Sequence, residues 1–186
     1  MSTLSTAAVV GLLLLVATST TQAQGYNLGR SVTQKEIAGW DIDVTVDGVG
    51  LPKGSGSVAQ GKQVYDSICA ACHGMKGEGK PNDRLVGGQG SLRSERPIQT
   101  IGSFWPYATT LYDYINRAMP YTAPQSLKPE QVYAVTAYLL HLNGIIGAEA
   151  TLNAETLPKI KMPNREGFVS DARPDTVNLR CRSECK

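Results

Sequence analysis

Residues 68–79 read ICAACHGMKGEG: two cysteines separated by two residues, a histidine directly after the second, and then a glycine-rich stretch. The whole chain of 186 residues holds four cysteines and two histidines, so three of these six scarce side chains fall within five positions. Three chemistries use such an arrangement: a dithiol that trades electrons, half of a zinc site, and the covalent attachment of a haem. The remaining sequence has to decide between them.

The first residues bear on the compartment. Residues 7–17 (AAVVGLLLLVA) form an apolar run, followed by small polar residues and Thr21-Gln22-Ala23. This is the pattern of a signal-peptide core with a small-residue cleavage site, although no Lys or Arg precedes it and the amino terminus alone supplies positive charge. An uncleaved anchor helix would need roughly 20 apolar residues. The expectation is therefore a signal peptide over residues 1–23, cleaved near Ala23, and a mature chain exported to an oxidising compartment where cysteine pairs persist. The net charge of +2 points neither to nucleic acid nor to an anionic membrane surface.

Residues 24–56 read as an extended arm, with Asp41-Ile42-Asp43-Val44 alternating like a short strand and "LPKGSGS" as a linker or turn. A domain then spans 57–147, and 148–186 returns to irregular sequence. Within the domain a helix is predicted from Ser57, a good N-cap, to about Cys69, with Val64, Tyr65 and Ile68 on one face with Gly61. Residues 74–102 carry no sustained periodicity and read as loop. A second helix is predicted from near Thr109, with Leu111, Ile115 and Ala118 inward, and stops at Met119 because Pro120 bars the helical conformation for its predecessor. The third starts with Pro129 at its first position, buries Val132, Val135, Thr136, Leu139 and Leu140, and ends at Asn143-Gly144.

The dithiol reading needs Cys69-Ala70-Ala71-Cys72 to open a helix after a strand. Here the motif closes a helix and runs into a Gly-rich loop. Zinc needs two further ligands at a matching spacing. His73 is adjacent to Cys72, and His141, Cys181 and Cys185 are far away in sequence. In haem attachment each residue has a role: Cys69 and Cys72 add to the two vinyl groups as thioethers, and His73 lies under the iron as an axial ligand. Haem c is the cofactor this motif predicts, and one C-x-x-C-H predicts one haem.

A six-coordinate electron carrier needs a second axial ligand, and Met opposite His raises the potential. Met75 is too near His73 to cross the ring. Met119, at a helix end before Pro120 in a stiff loop, is the candidate; Met162 and His141 are the alternatives. The tail holds Cys181 and Cys185, four apart, which can reach disulfide geometry in a turn. A bond to another chain and two free thiols are the other outcomes there.

The stretches "YDSICAACHGMKGEG", "LYDYINRAMPYTAP" and "SLKPEQVYAVTAYLLHLNG", in this order, resemble a class I cytochrome c. The resemblance implies an all-α fold of three main helices around one covalent haem, with irregular extensions at both ends. It also implies that the first and last helices cross near a glycine and an aromatic, for which Gly61 and Tyr138 are the candidates. The stretches "AGWDID", "GSGSVAQGKQVY", "GSFWPYATTLYDYI", "LPKIKMPNREGF" and "RPDTVNLRCRSEC" are similar to the cytochrome c subunits of periplasmic sulfite and sulfur dehydrogenases of the Sox type. That resemblance implies a periplasmic electron carrier rather than an enzyme. Its donor would be a molybdenum-cofactor sulfite-oxidase-type subunit, and its acceptor a further cytochrome or an oxidase. Some of those relatives carry a second haem, and this chain has one motif. The rivals are a free electron shuttle and a haem peroxidase or ligand sensor with an open iron position. Trp105 and Tyr107 could wall the haem or reach a propionate, but ordinary aromatic core is the expectation for both.

Overall fold

The computed structural model describes residues 28–171, in two units that divide after Trp40. In the first, a helix α1 spans Gln34–Trp40. Its start is built locally. Thr33 Oγ1 accepts from the Glu36 amide at 3.3 Å while Glu36 accepts from the Thr33 amide at 2.8 Å, and Arg30 pairs with the same carboxylate. This reciprocal capping makes a helix where the sequence predicted only extended arm. The short strand predicted at residues 41–44 does not form either.

The second unit begins with residues that are laced onto its helices. The Val44 amide donates to Asp113 Oδ1 at 3.0 Å, Thr109 Oγ1 donates to the Val46 carbonyl at 3.1 Å, and Tyr133 Oη donates to the Pro52 carbonyl at 2.9 Å. Strand β1 (Ser55–Ser57), read from sequence as linker, pairs antiparallel with β2 (Thr151–Asn153), with Gly56 opposite Leu152. Ser57 then caps α2 (Val58–Val64) with Gln60 completing the box: Ser57 Oγ accepts from the Gln60 amide at 3.2 Å and Gln60 Oε1 accepts from the Ser57 amide at 2.9 Å.

The predicted first helix continues to His73 but not uniformly. After α2 the chain widens into a π-helical turn, Tyr65–Cys69, before the short α3 (Ala70–His73). A second long helix, α4 (Ala108–Ala118), stops at Met119, which is extended at φ −121° and ψ 146°, as Pro120 requires. The last, α5 (Pro129–Leu142), opens with Pro129 and ends at Asn143.

The apolar stripe predicted for α5 is too narrow. Tyr133, Ala134, Ala137 and Tyr138 are buried as well, because α2, α4, β1 and β2 all pack around this helix. A Cβ on Gly61 would overlap the Ala134 carbonyl oxygen and stand 2.8 Å from the Tyr138 Cβ, so α2 and α5 cross at a residue with no side chain. Next to the crossing, the Tyr65 and Tyr138 rings pack at 5.3 Å. The expected pairing of Gly61 with Tyr138 is present in this geometry.

The carboxy-terminal extension is only partly irregular. It carries β2 and a 3₁₀ turn, Leu157–Lys159, and contributes Leu152, Leu157 and Met162 to the core. It is stitched to the segment entering α4: Tyr107 bridges Lys161, Arg165 lies 4.1 Å over the Tyr107 ring, and Asn164 Nδ2 donates to the Phe104 carbonyl at 2.7 Å. No helix among the described residues is long and apolar enough to cross a membrane. The predicted signal peptide and Cys181 and Cys185 lie outside the described residues.

Candidate haem-binding site

The π-turn positions the first cysteine. The Ala70 amide donates to the Tyr65 carbonyl, so one extra residue is accommodated just before the C-x-x-C-H run. π-turns inside α-helices frequently mark functional sites, since the added residue rotates the next turn of the helix. The turn is anchored by the buried Tyr65, whose Oη donates to the Gly74 carbonyl at 2.7 Å. Gly74 itself takes φ +82°, a conformation that strains residues with a Cβ, and turns the chain sharply after His73.

The loop after Gly74 folds back under the motif. The Gly79 amide donates to the His73 carbonyl at 2.8 Å and the Asn82 amide to the Cys72 carbonyl at 2.9 Å. This return brings the Asp83 carbonyl to 2.8 Å from His73 Nδ1. A carbonyl only accepts, so Nδ1 carries the proton and Nε2 keeps a free lone pair. A hydrogen bond of this kind fixes the tautomer of a metal-ligating histidine and raises its basicity.

Cys69, Cys72, His73 and Met119 all line one cavity of about 500 Å³. Its walls are mainly apolar, with Ile68, Ile101, Leu111, Ile115, Leu127 and Leu139 supplied by several elements and loops. Trp105 also lines it and meets Tyr114 edge to face at 5.6 Å. Asn82, Asp83, Arg84 and Gln99 add polar groups. Burial, and secondarily Cys72, pushes the Cys69 thiol up to about 11. An ionised sulfur is therefore disfavoured at that position, and a neutral thioether suits it. The volume lies within the roughly 300–1,000 Å³ of cofactor pockets. Two thiols, an imidazole with a free Nε2, a thioether and apolar walls are the donor set and surroundings that a covalently held haem needs, so the residues present fit that group.

The other candidates go elsewhere. Met162 is 1% exposed within the core and does not line the cavity. His141 Nδ1 lies 3.2 Å from the Ile146 carbonyl, away from the cavity lining. Of the two aromatics weighed, Trp105 walls the cavity, and Tyr107 is held under Arg165. Sequence reasoning missed Asp83, because it acts through its main-chain carbonyl and its side-chain identity carries no signal.

Residues 58–143 match the family model for cytochrome c. A comparison with curated proteins found no match. Among solved structures, the chain is similar to the crystal structure of the sulfane dehydrogenase SoxCD from Paracoccus pantotrophus. The likeness runs at 41% identity over 87% of this chain and 81% of that chain, with a TM-score of 0.77. The chain belongs to the cytochrome c family. It is a class I c-type cytochrome resembling those of the Sox type, an electron-carrying protein that binds haem c. The mainly helical architecture agrees with the class I expectation; what the sequence did not reveal was α1, the π-turn and the small antiparallel sheet.

Proposed function

We propose that this cytochrome is a periplasmic mono-haem electron carrier in the oxidation of sulfur compounds. It accepts single electrons from a molybdenum-cofactor sulfite-oxidase-type subunit and passes them to a further cytochrome or an oxidase. The likeness to the sulfane dehydrogenase SoxCD at 41% identity supports the sulfur-compound branch. The convergence of Cys69, Cys72, His73 and Met119 on one cavity carries the reading of the site.

In this reading Cys69 and Cys72 would hold the haem as thioethers, and His73 Nε2 and the Met119 sulfur would be the protein's donors to its iron. When bound, the haem supplies reversible one-electron exchange at its iron. The chain's own contribution is positional. The Asp83 carbonyl fixes the imidazole, the proline after Met119 stiffens the loop that presents the thioether, and the apolar walls keep water from the centre. The cytochrome breaks no bond itself.

The test is isolation of the tagged cytochrome from its native cells. The expected result is co-isolation of a molybdenum-cofactor subunit, with haem reduction when sulfite or a sulfane-sulfur compound is added. A cytochrome that emerges alone and is not reduced would leave the free-shuttle reading in place. A reduced spectrum that shifts on adding CO would instead indicate an open iron position.

A further inference from the structure

Asn143 ends α5 and is 7% exposed, yet its amide is used on both sides. Nδ2 donates to the Leu139 carbonyl at 2.9 Å and to the Leu85 carbonyl at 3.2 Å, and Oδ1 accepts from the Gly87 amide at 3.2 Å. Its main-chain carbonyl accepts from Gln89 Nε2 at 3.2 Å. One residue thus grips Leu85, Gly87 and Gln89, at sequence separations of 58, 56 and 54.

Helix termination does not require this side chain. Gly144 takes φ +70°, its amide donates to the His141 carbonyl at 2.8 Å, and the Ile145 amide donates to the Leu140 carbonyl at 3.0 Å. These main-chain bonds are the ordinary way a helix closes on glycine. Beyond its one bond back to Leu139 in α5, the Asn143 amide reaches a different structure, the strap 83–89.

That strap leads to the haem site. Leu85 lines the cavity, and the Leu85 and Val86 amides donate to the Gly77 carbonyl at 2.8 and 3.1 Å. Two residues before Leu85 stands Asp83, whose carbonyl receives His73 Nδ1. On the far side of the strap, the Thr100 hydroxyl donates to the Gly87 carbonyl, and Thr100 also lines the cavity. We propose that Asn143 is a positioning residue for His73: it holds the strap so that the Asp83 carbonyl keeps the imidazole in one tautomer and orientation. This rests on the reading of His73 as the axial ligand. It couples the end of the last helix to the ligand donated after the first.

The experiment uses the full-length haem-loaded protein. In the reduced state, NMR reads solvent exchange of the His73 Nδ1–H, and voltammetry reads the reduction potential. The variants are Asn143→Leu, which removes all three side-chain bonds, and Asn143→Asp, which keeps the acceptor for Gly87 and loses both donors. Gln89→Leu is a milder third, should Asn143→Leu fail to fold. Asp113→Asn, which loosens the tie between Val44 and α4, controls for lost stability at large.

Exchange in Asn143→Leu should rise roughly tenfold, the scale of losing one or two hydrogen bonds. The potential should shift upward, because a less basic imidazole stabilises Fe(III) less well. Gln89→Leu should fall between this variant and wild type. Asn143→Asp, which sets a buried carboxylate against the Leu85 and Leu139 carbonyls, should move both readouts at least as far as Asn143→Leu. Asp113→Asn should move neither readout beyond its stability loss. A lowered melting temperature in the Asn143 variants, with exchange and potential unchanged, would overturn the proposal. So would an Asp113→Asn control that moves both equally. If the wild-type protein itself shows no His73 ring signals shifted by the haem ring current, the axial-ligand reading fails and the proposal fails with it.

Discussion

Gly61 lies so close to Ala134 that any side chain on it would overlap the Ala134 carbonyl oxygen. The crossing of α2 and α5 therefore depends on a missing methyl group. Gly61→Ala would gain about 1 kcal/mol of helix propensity. It must also separate two backbones, and overpacking costs about 1–3 kcal/mol, occasionally more. The overlap is with a backbone oxygen that no rotamer change relieves, so the upper end of that cost applies. A net loss of about 2 kcal/mol is expected in denaturant unfolding of the haem-loaded protein. An unchanged or raised stability would mean that the helices are not in this contact.

Two buried tyrosines in ring contact at 4.6 Å make an internal comparison. Tyr133 Oη donates to the Pro52 carbonyl, whereas Tyr112 Oη is buried with no hydrogen-bond partner among the described residues. Tyr133→Phe leaves an unsatisfied carbonyl and should cost about 1 kcal/mol. Tyr112→Phe removes an unsatisfied hydroxyl and should be neutral or slightly stabilising. Reversal of that order in unfolding curves would contradict the hydrogen bonding described.

Alkaline pH provides a further check on Tyr133. Burial pushes its phenol up to about 12, from an unfolded value of roughly 10. The folded state therefore holds this proton more tightly than the unfolded state does. The stability linked to Tyr133 is fully present below pH about 10 and is lost as pH rises towards about 12. Unfolding midpoints across this range should fall more steeply for wild type than for Tyr133→Phe. Parallel curves would exclude the shift.

The two methionines should behave oppositely. Met119→Ala should abolish the weak near-infrared sulfur-to-iron band of the oxidised protein and lower the potential, since a thioether favours Fe(II). Met162→Ala should keep the band but destabilise the fold by about 2–5 kcal/mol, as expected on emptying a buried site. If the band is lost in Met162→Ala instead, the ligand role passes to that residue.

The starts of α2 and α5, the end of α4 and the haem motif were legible in the sequence for local reasons, whereas α1 was not, although Thr33 and Glu36 cap it locally. Ser57, Pro120 and Pro129 act on their own neighbours, through a cap, a steric bar and a fixed φ, so each marks a boundary on sight. Cys69, Cys72 and His73 stand out because the proposed covalent attachment would require these residue types at this spacing. The π-turn at Tyr65–Cys69 left no such mark, since its side chains keep near-helical spacing. The pairing of Gly56 with Leu152 joins two three-residue strands far apart in sequence, one of them rich in glycine and serine. Asp83 acts through its own main chain, and Asn143 upon the main chain of a distant strap, which periodicity cannot report.

The haem reading stands on Cys69 and Cys72 holding one haem covalently, with His73 beside them. The direct measurement is the mass of the denatured protein, made in cells with a working haem-ligation system, for wild type and for Cys69→Ala with Cys72→Ala. The expected masses are one haem above the polypeptide in wild type and the bare polypeptide in the double variant. A denatured wild-type protein without haem, or a double variant that retains it, would refute covalent attachment at these two cysteines.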